Sequence, residues 1–292
     1  MTFKIRPRRS VLYVPASNAK AIEKSQTLHA DGFVLDCEDA VAPDMKVLAR
    51  QQAIAAVAGG TLGKREVVIR VNGLDTPWGY ADLAAVAQSK AHAILLPKVQ
   101  SADVVQRAEE VLVSNGLPDD MDIWVMIETP LGVLNVREIA QSSPGLRCLV
   151  MGTSDLAKDL HAHHTKERLP LLASLSSCLL VARAYGLAII DGVHLDLSDD
   201  EGFNRSCWQG AEMGFDGKSL IHPKMIDGAN RIFSPTNEAV LYARKVIAAH
   251  ADATNKGHGV VVVDGKVIES LHVEGAWRLI ELSEAIEALH KH

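Results

Sequence analysis

The chain has 292 residues, with 30 Lys+Arg against 36 Asp+Glu for a formal charge of −6, and 48% of its residues are hydrophobic. That balance suits a globular α/β protein with a sizeable core and excludes the basic footprint of a nucleic-acid binder. No stretch of about 18 apolar residues predicts a membrane span, and the opening MTFKIRPRRS lacks the apolar core of a secretory signal, so a cytoplasmic protein is expected.

Short apolar runs alternate with longer amphipathic stretches along the chain. Strands are predicted over 10–15 (SVLYVP), 32–37 (GFVLDC), 67–71 (VVIRV), 93–97 (AILLP), 123–127 (IWVMI), 148–151 (CLVM), 188–190 (AII) and 216–221 (DGKSLI). Between them, helices are predicted over 19–28, 46–57, 80–89, 102–113, 132–141, 171–185 and 201–213, several opening on turn or cap chemistry and several closing on Gly116, Gly186 or Gly214. Strand alternating with helix implies parallel pairing through right-handed crossovers, and eight such units suit a (β/α)8 TIM barrel. A doubly wound open sheet is the competitor, but no phosphate-binding glycine signature follows the first strand. Residues 59–64 (GGTLGK) resemble a P-loop only superficially: the spacing is wrong, Arg65 stands where Ser or Thr is required, and the segment precedes a strand. It reads as a loop.

The pattern changes after the eighth strand. A helix is predicted over 237–251, then two strand-like runs within 259–270 around Asp264-Gly265, a hairpin signal, then a final helix over 275–290. The expected organisation is a barrel domain over 1–235 and a helix–hairpin–helix extension over 236–292 that caps this barrel or a neighbouring subunit. Cys37, Cys148, Cys178 and Cys207 are widely spaced and form no C-x-x-C pair, so buried reduced thiols are expected.

Alternation along the strands sorts residues into inward and outward sets. Phe33, Leu35 and Cys37 share one face of the second strand; Asp36 and Glu38 share the other, with Asp39 following. Arg70 points inward from the third strand beside Asn72, Glu128 from the fifth, Lys98 ends the fourth, and the sixth runs into Gly152-Thr153-Ser154-Asp155. Charges therefore gather at the strand ends that carry active sites in barrels, where the alternative is a structural salt-bridge cluster. Glu128 and Asp155 offer hard oxygen ligands without a neighbouring His or Cys, favouring Mg2+ or Mn2+ over zinc, with Glu38 and Asp39 able to hold metal-bound water. Arg70 suits a carboxylate or a developing enolate oxygen. The His161-Ala162-His163-His164 run looks like a metal cluster but lies in a polar stretch that reads as a solvated loop; His222, after the eighth strand, is a site candidate or a packing residue.

These residues sit in a set of motifs: RRSVLYVPASN (8–18), LDCEDAV (35–41) with Lys46 and Ala49-Arg50 behind it, IRVN (69–72), IETPLG (127–132), GTSDLA (152–157), FDGKSLIHP (215–223) and VDGKVI (263–268). In this order, over nearly the whole chain, they resemble the citrate lyase β-subunit-like proteins of the HpcH/HpaI aldolase group, close to malyl-CoA and citramalyl-CoA lyases. The resemblance implies a TIM barrel, Mg2+ dependence, a CoA thioester and a 2-oxo acid as small-molecule partners, and a homotrimer or homohexamer. It makes Glu128 and Asp155 the metal ligands and Arg70 a substrate contact. It makes 9–20 the CoA-side segment, with Arg9, Tyr13, Asn18 and Lys20 as candidate contacts beside Lys98, and Asp264 an acid/base contributed by a neighbouring subunit. Ala16 departs from a common Gly. The expected function is Mg2+-dependent retro-Claisen cleavage of a 3-hydroxyacyl-CoA to acetyl-CoA and a 2-oxo acid, with Arg70, Glu38, Asp39 and Asp264 as the catalytic set. The alternatives are a citrate lyase β subunit, where the residue matching Asp264 is often Asn, and a non-catalytic protein on the same barrel.

Overall fold

A computed structural model describes residues 5–290 and divides them into two compact units, Arg8–Phe233 and, separately, residues 5–7 with 234–290. In the larger unit, strands β1 (Ser10–Pro15), β2 (Gly32–Asp36), β3 (Glu66–Arg70), β4 (Ala93–Leu96), β5 (Asp122–Ile127), β6 (Leu146–Met151), β7 (Ala188–Asp191) and β8 (Gly217–Leu220) pair in sequence order. β8 closes on β1, so the sheet is the expected parallel eight-stranded barrel.

Period-two alternation builds two cores. Val11, Val34, Val68, Leu95, Trp124, Met126, Val150 and Ile190 fill the barrel interior. Phe33, Leu35, Val67, Ile69, Val125 and Ile127 point the other way, under the helices; fully burying one such side chain is worth roughly 1.5–3 kcal/mol. The N-terminal end of the barrel is closed by charge pairs: the Arg8 guanidinium lies 4.9 Å from the Trp124 ring centroid and bonds both Glu66 oxygens at 2.6 and 2.8 Å. All four cysteines are free and buried, and residues 59–64 form turns.

The helices depart from expectation in four places. The 132–141 stretch is two short helices, Pro130–Leu134 and Val136–Ala140, because Asn135 leaves helical geometry and donates its side-chain amide to the Gln100 carbonyl at 2.8 Å. Short helices over Thr153–Asp159 and Ile226–Phe233 are additional; the first is too brief to show a hydrophobic period. The last helix begins at Ser270 rather than near 275. Gly275 lies inside it, and packing of Ala276 and Ile280 offsets the roughly 1 kcal/mol that a helical glycine costs.

In the smaller unit, the helices Asn237–Asn255 and Ser270–His290 pack around Ala243, Val246, Ala276 and Ile280, joined by the inner side chains Val263 and Ile268 of a two-stranded hairpin. The hairpin pairs β9 (Val261–Val263) with β10 (Lys266–Ile268), and its two-residue turn is Asp264-Gly265, both with positive φ (48° and 79°). Those are the angles of a type I′ turn, which Asp-Gly accommodates.

Candidate active site

The C-terminal mouth of the barrel collects the expected charges, and register explains how. Asp36 and Arg70 are aligned neighbours on β2 and β3 and point into the barrel. Asp36 therefore grips the guanidinium with both oxygens, at 2.7 Å to Nε and 2.6 Å to Nη2. The same carboxylate accepts the Glu38 and Ala40 amides at 2.9 and 3.2 Å, so one group fixes both the arginine and the turn after β2. The remaining Arg70 nitrogen, Nη1, lies 3.0 Å from Glu38 and 3.7 Å from the Met126 sulfur. The Tyr13 ring centroid sits 5.1 Å from the guanidinium, and burial pushes the phenol upward.

Lys98 follows Pro97 and adopts a left-handed backbone, φ 51°, a strain of about 1–3 kcal/mol for a non-glycine residue. That geometry aims two groups at once. Its amide donates to Glu128 Oε1 at 2.7 Å, and its ammonium pairs with Glu38 and, at 3.2 Å, with Asp39. Glu38 thus bridges Arg70 and Lys98; burial lifts its carboxyl above the usual range in spite of both cations. Asp39 is half exposed, and Lys98 and Arg70 together outweigh burial to hold it below that range.

Glu128 is buried at the end of β5, and burial above all, with the nearby charges of Glu38 and Asp155, pushes its carboxyl up to about 7. Asp155, on the first turn of Thr153–Asp159, is partly exposed and meets Lys158 at 3.0 Å. Gly152 lets Glu128 itself pack against the backbone, since a Cβ there would stand 2.3 Å from Glu128 Cβ and 2.5 Å from its Oε2. The buried Ser154 hydroxyl, next to Asp155, has no hydrogen-bond partner. The Glu128 and Asp155 carboxylates are hard-oxygen donors suited to Mg2+, which keeps several of its own waters, and the unpartnered Ser154 hydroxyl is a further oxygen in the same segment. Among the described residues no group of three or more His, Cys, Asp or Glu is gathered for a metal; His161, His163 and His164 are exposed, and His222 caps the short turn Pro223–Met225.

Two expected CoA contacts, Arg9 and Asn18, are placed elsewhere or otherwise engaged. Arg9 lies just before β1, at the opposite end of the barrel, buried against Asp31 at 2.6 and 2.8 Å. A bidentate buried pair leaves that guanidinium no face for a ligand. Asn18 spends its side-chain oxygen capping the Ala19–Ser25 helix at the Ala21 amide, 3.1 Å. Lys20 is exposed on that helix. Asn72 also turns from the mouth, to Asp82 at 2.6 Å and the Cys37 carbonyl at 2.9 Å. Asp264 lies in the separate C-terminal unit, half exposed and paired with Lys245.

The sequence reading missed Met126, the double duty of Asp36, and a buried triad under the helices. In the triad, Asp191 at the end of β7 meets Lys218 of β8 at 2.8 Å and Arg168 at 2.7 Å. A lysine inside the otherwise uncharged strand Gly217–Leu220 was the available signal.

A closed parallel barrel with cations and carboxylates converging at the strand C-termini is the architecture of an enzyme. The chain belongs to the HpcH/HpaI aldolase/citrate lyase family, which it matches over residues 9–223. It is 46% identical over 288 residues to a (3S)-malyl-CoA thioesterase of Cereibacter sphaeroides, covering 99% of both chains. An L-malyl-CoA/beta-methylmalyl-CoA lyase of the same species is 32% identical over 307 residues, covering 97% of this chain and 96% of the relative. Among solved structures, CitE from Mycobacterium tuberculosis in complex with magnesium, acetoacetate and coenzyme A aligns with a TM-score of 0.75 and 26% identity, over 97% of this chain and all of that one.

Proposed function

We propose that the protein is a Mg2+-dependent hydrolase of (3S)-malyl-CoA or a closely related 3-hydroxyacyl-CoA. The observation that carries the reading is the 46% identity to a (3S)-malyl-CoA thioesterase over 99% of both chains, against 32% for the lyase. The reading moves the reaction from carbon–carbon cleavage to thioester hydrolysis and keeps the substrate class. In hydrolysis, a water oxygen adds to the thioester carbonyl carbon, the C–S bond breaks, and the sulfur leaves as thiolate and takes up a proton. The products are malate and free CoA.

Glu128 and Asp155 would hold the metal, with the Ser154 hydroxyl beside them. When bound, it supplies Lewis-acid polarisation of substrate oxygens. Arg70, pinned by Asp36, presents Nη1 toward the mouth to bind substrate oxygen, where a guanidinium can offer donors to a charge-developing atom. Glu38 orients Arg70 and Lys98 together. Tyr13 and Met126 form the less polar wall against Arg70. Asp264 of a neighbouring copy would carry the proton in a homotrimer or homohexamer.

Retro-Claisen cleavage is the second reading, favoured by the family match and by an Arg70 fork that serves an enolate oxygen equally well. One assay separates them. Supplied with (3S)-malyl-CoA and Mg2+, a hydrolase releases free CoA thiol and malate in equal amounts without glyoxylate. A lyase releases glyoxylate and acetyl-CoA without thiol. Thiol release without malate, or no turnover of any malyl or citramalyl thioester, defeats the proposal.

A further inference from the structure

We propose that Lys46 is a positioning residue, whose buried ammonium fixes from behind the turn that presents Glu38 to Arg70 and Lys98. The inference rests on the barrel mouth being the active site, as read above.

Lys46 opens the Lys46–Ala58 helix, and its side chain runs back under the 36–41 turn. Its Nζ donates to the Glu38 carbonyl at 2.7 Å and the Cys37 carbonyl at 3.1 Å, and lies 5.5 Å from the Trp78 ring centroid. Among the described residues no carboxylate comes within ion-pair distance of it. On the front of the same turn, Asp36 accepts the Glu38 and Ala40 amides while holding Arg70. The turn is thus clamped between a carboxylate in front and an ammonium behind, and the Glu38 carboxylate emerges from its edge.

An ammonium buried on two carbonyls and an indole face, without a counter-ion, is an expensive way to fill space. The fold does not require it. The Cys37 carbonyl also receives the Asn72 amide at 2.9 Å, and the Glu38 carbonyl also receives the Val41 N–H at 2.9 Å. Removing Lys46 would orphan neither carbonyl, so an apolar side chain of similar length should pack there without loss of stability. What such a replacement removes is the charge that sets the tilt of the Cys37 and Glu38 peptide planes, and with it the aim of Glu38. Misplacement of a polar site by about 1 Å can cost on the order of a hundredfold in rate.

The test compares Lys46→Met and Lys46→Arg with the wild type by thermal melting, steady-state kinetics on (3S)-malyl-CoA with Mg2+, and amide exchange of the 36–42 segment. The expected result for Lys46→Met is an unchanged or raised Tm, kcat lower by about tenfold or more with KM within about threefold, and faster exchange at Glu38 and Ala40. Lys46→Arg, which keeps donors and charge, should recover most of kcat. Exchange and kcat must move together at a Tm that does not fall; a change in either alone, or any clear fall in Tm, overturns the inference. If the wild type does not turn over malyl-CoA, the substrate reading fails and exchange alone decides the role of Lys46. If Lys46→Met does not fold, Lys46→Gln replaces it under the same criteria, and failure of both to fold makes the residue structural and overturns the proposal.

Discussion

Arg70 is held as a fork: two of its nitrogens are committed to Asp36, and the third is left between Glu38 and Met126. A lysine could place a charge near Asp36 but could not span both carboxylate oxygens and still offer a donor to the mouth. Arg70→Lys is therefore expected to lose about a hundredfold or more in kcat/KM, within tenfold of Arg70→Ala, in the thiol-release assay. Near-full activity of the lysine variant would show that charge alone matters. Glu128 and Asp155 carry a different expectation. Glu128→Gln and Asp155→Asn should keep the wild-type circular dichroism and Tm within a few degrees while losing most Mg2+-dependent turnover, because each would remove one of the two proposed anionic ligands. Exhaustive EDTA treatment of the wild type should abolish activity and added Mg2+ restore it; activity that survives EDTA disproves the metal assignment.

At the scale of elements, the triad of Asp191, Lys218 and Arg168 ties β7 and β8 to the loop before the Leu169–Leu171 turn, and it is fully buried at Asp191 and Lys218. Burial alone would raise the Asp191 carboxyl; Lys218 and Arg168 outweigh it and hold the group below the ordinary carboxylate range. A depressed native pKa means that the stabilisation is complete above the unfolded value, about 3.9, and disappears as pH falls through the native value. Asp191→Asn should thus be less stable at pH 7 by about 3–5 kcal/mol, since two cations lose their anion. It should also show a flatter stability–pH profile below about pH 4 in urea melts; an acid limb as steep as that of the wild type would locate the acid sensitivity elsewhere. This triad also marks where sequence reading ran out. Strand order and the barrel follow from eight alternating strand–helix units, and the inward set of Asp36, Glu38, Arg70 and Glu128 from period-two alternation, both of which are local patterns. The pairing of Arg168 with Asp191, the break at Asn135 and the diversion of Arg9 to Asp31 depend on partners far apart in the chain, and no spacing rule carries them. Arg9 lies just before a strand whose other end is at the mouth, so the resemblance of the 9–20 segment spans both ends of the barrel and does not place each of its residues at the site.

For the whole molecule, the residue to test is Asp264, because it lies in the unit that does not contain the barrel. Its type I′ turn supplies a structural reason for an Asp-Gly pair, so the turn by itself does not argue for chemistry. The hairpin around it does more. Val262 and Val267 face each other across the ladder and are 65% and 58% exposed, while Val263 and Ile268 supply the buried side. A three-residue ladder with apolar side chains left in solvent is a surface suited to association. We expect the chain to assemble, and Asp264 to act at the barrel mouth of a neighbouring copy. Asp264→Asn should keep the fold, because asparagine favours the left-handed conformation that this position requires, and should keep CoA-thioester binding while losing turnover, because an amide cannot carry the proton. Mixing Asp264→Asn with Glu128→Gln under subunit exchange then tests the sharing directly. Each parent is inactive, but mixed assemblies contain some mouths with an intact Glu128 from one chain and an intact Asp264 from the other. Activity should reappear, rising to at most the share of such mouths. Verified mixed oligomers that recover nothing, or a chain that sediments as a monomer at assay concentration, would place Asp264 outside any shared site and return it to its turn.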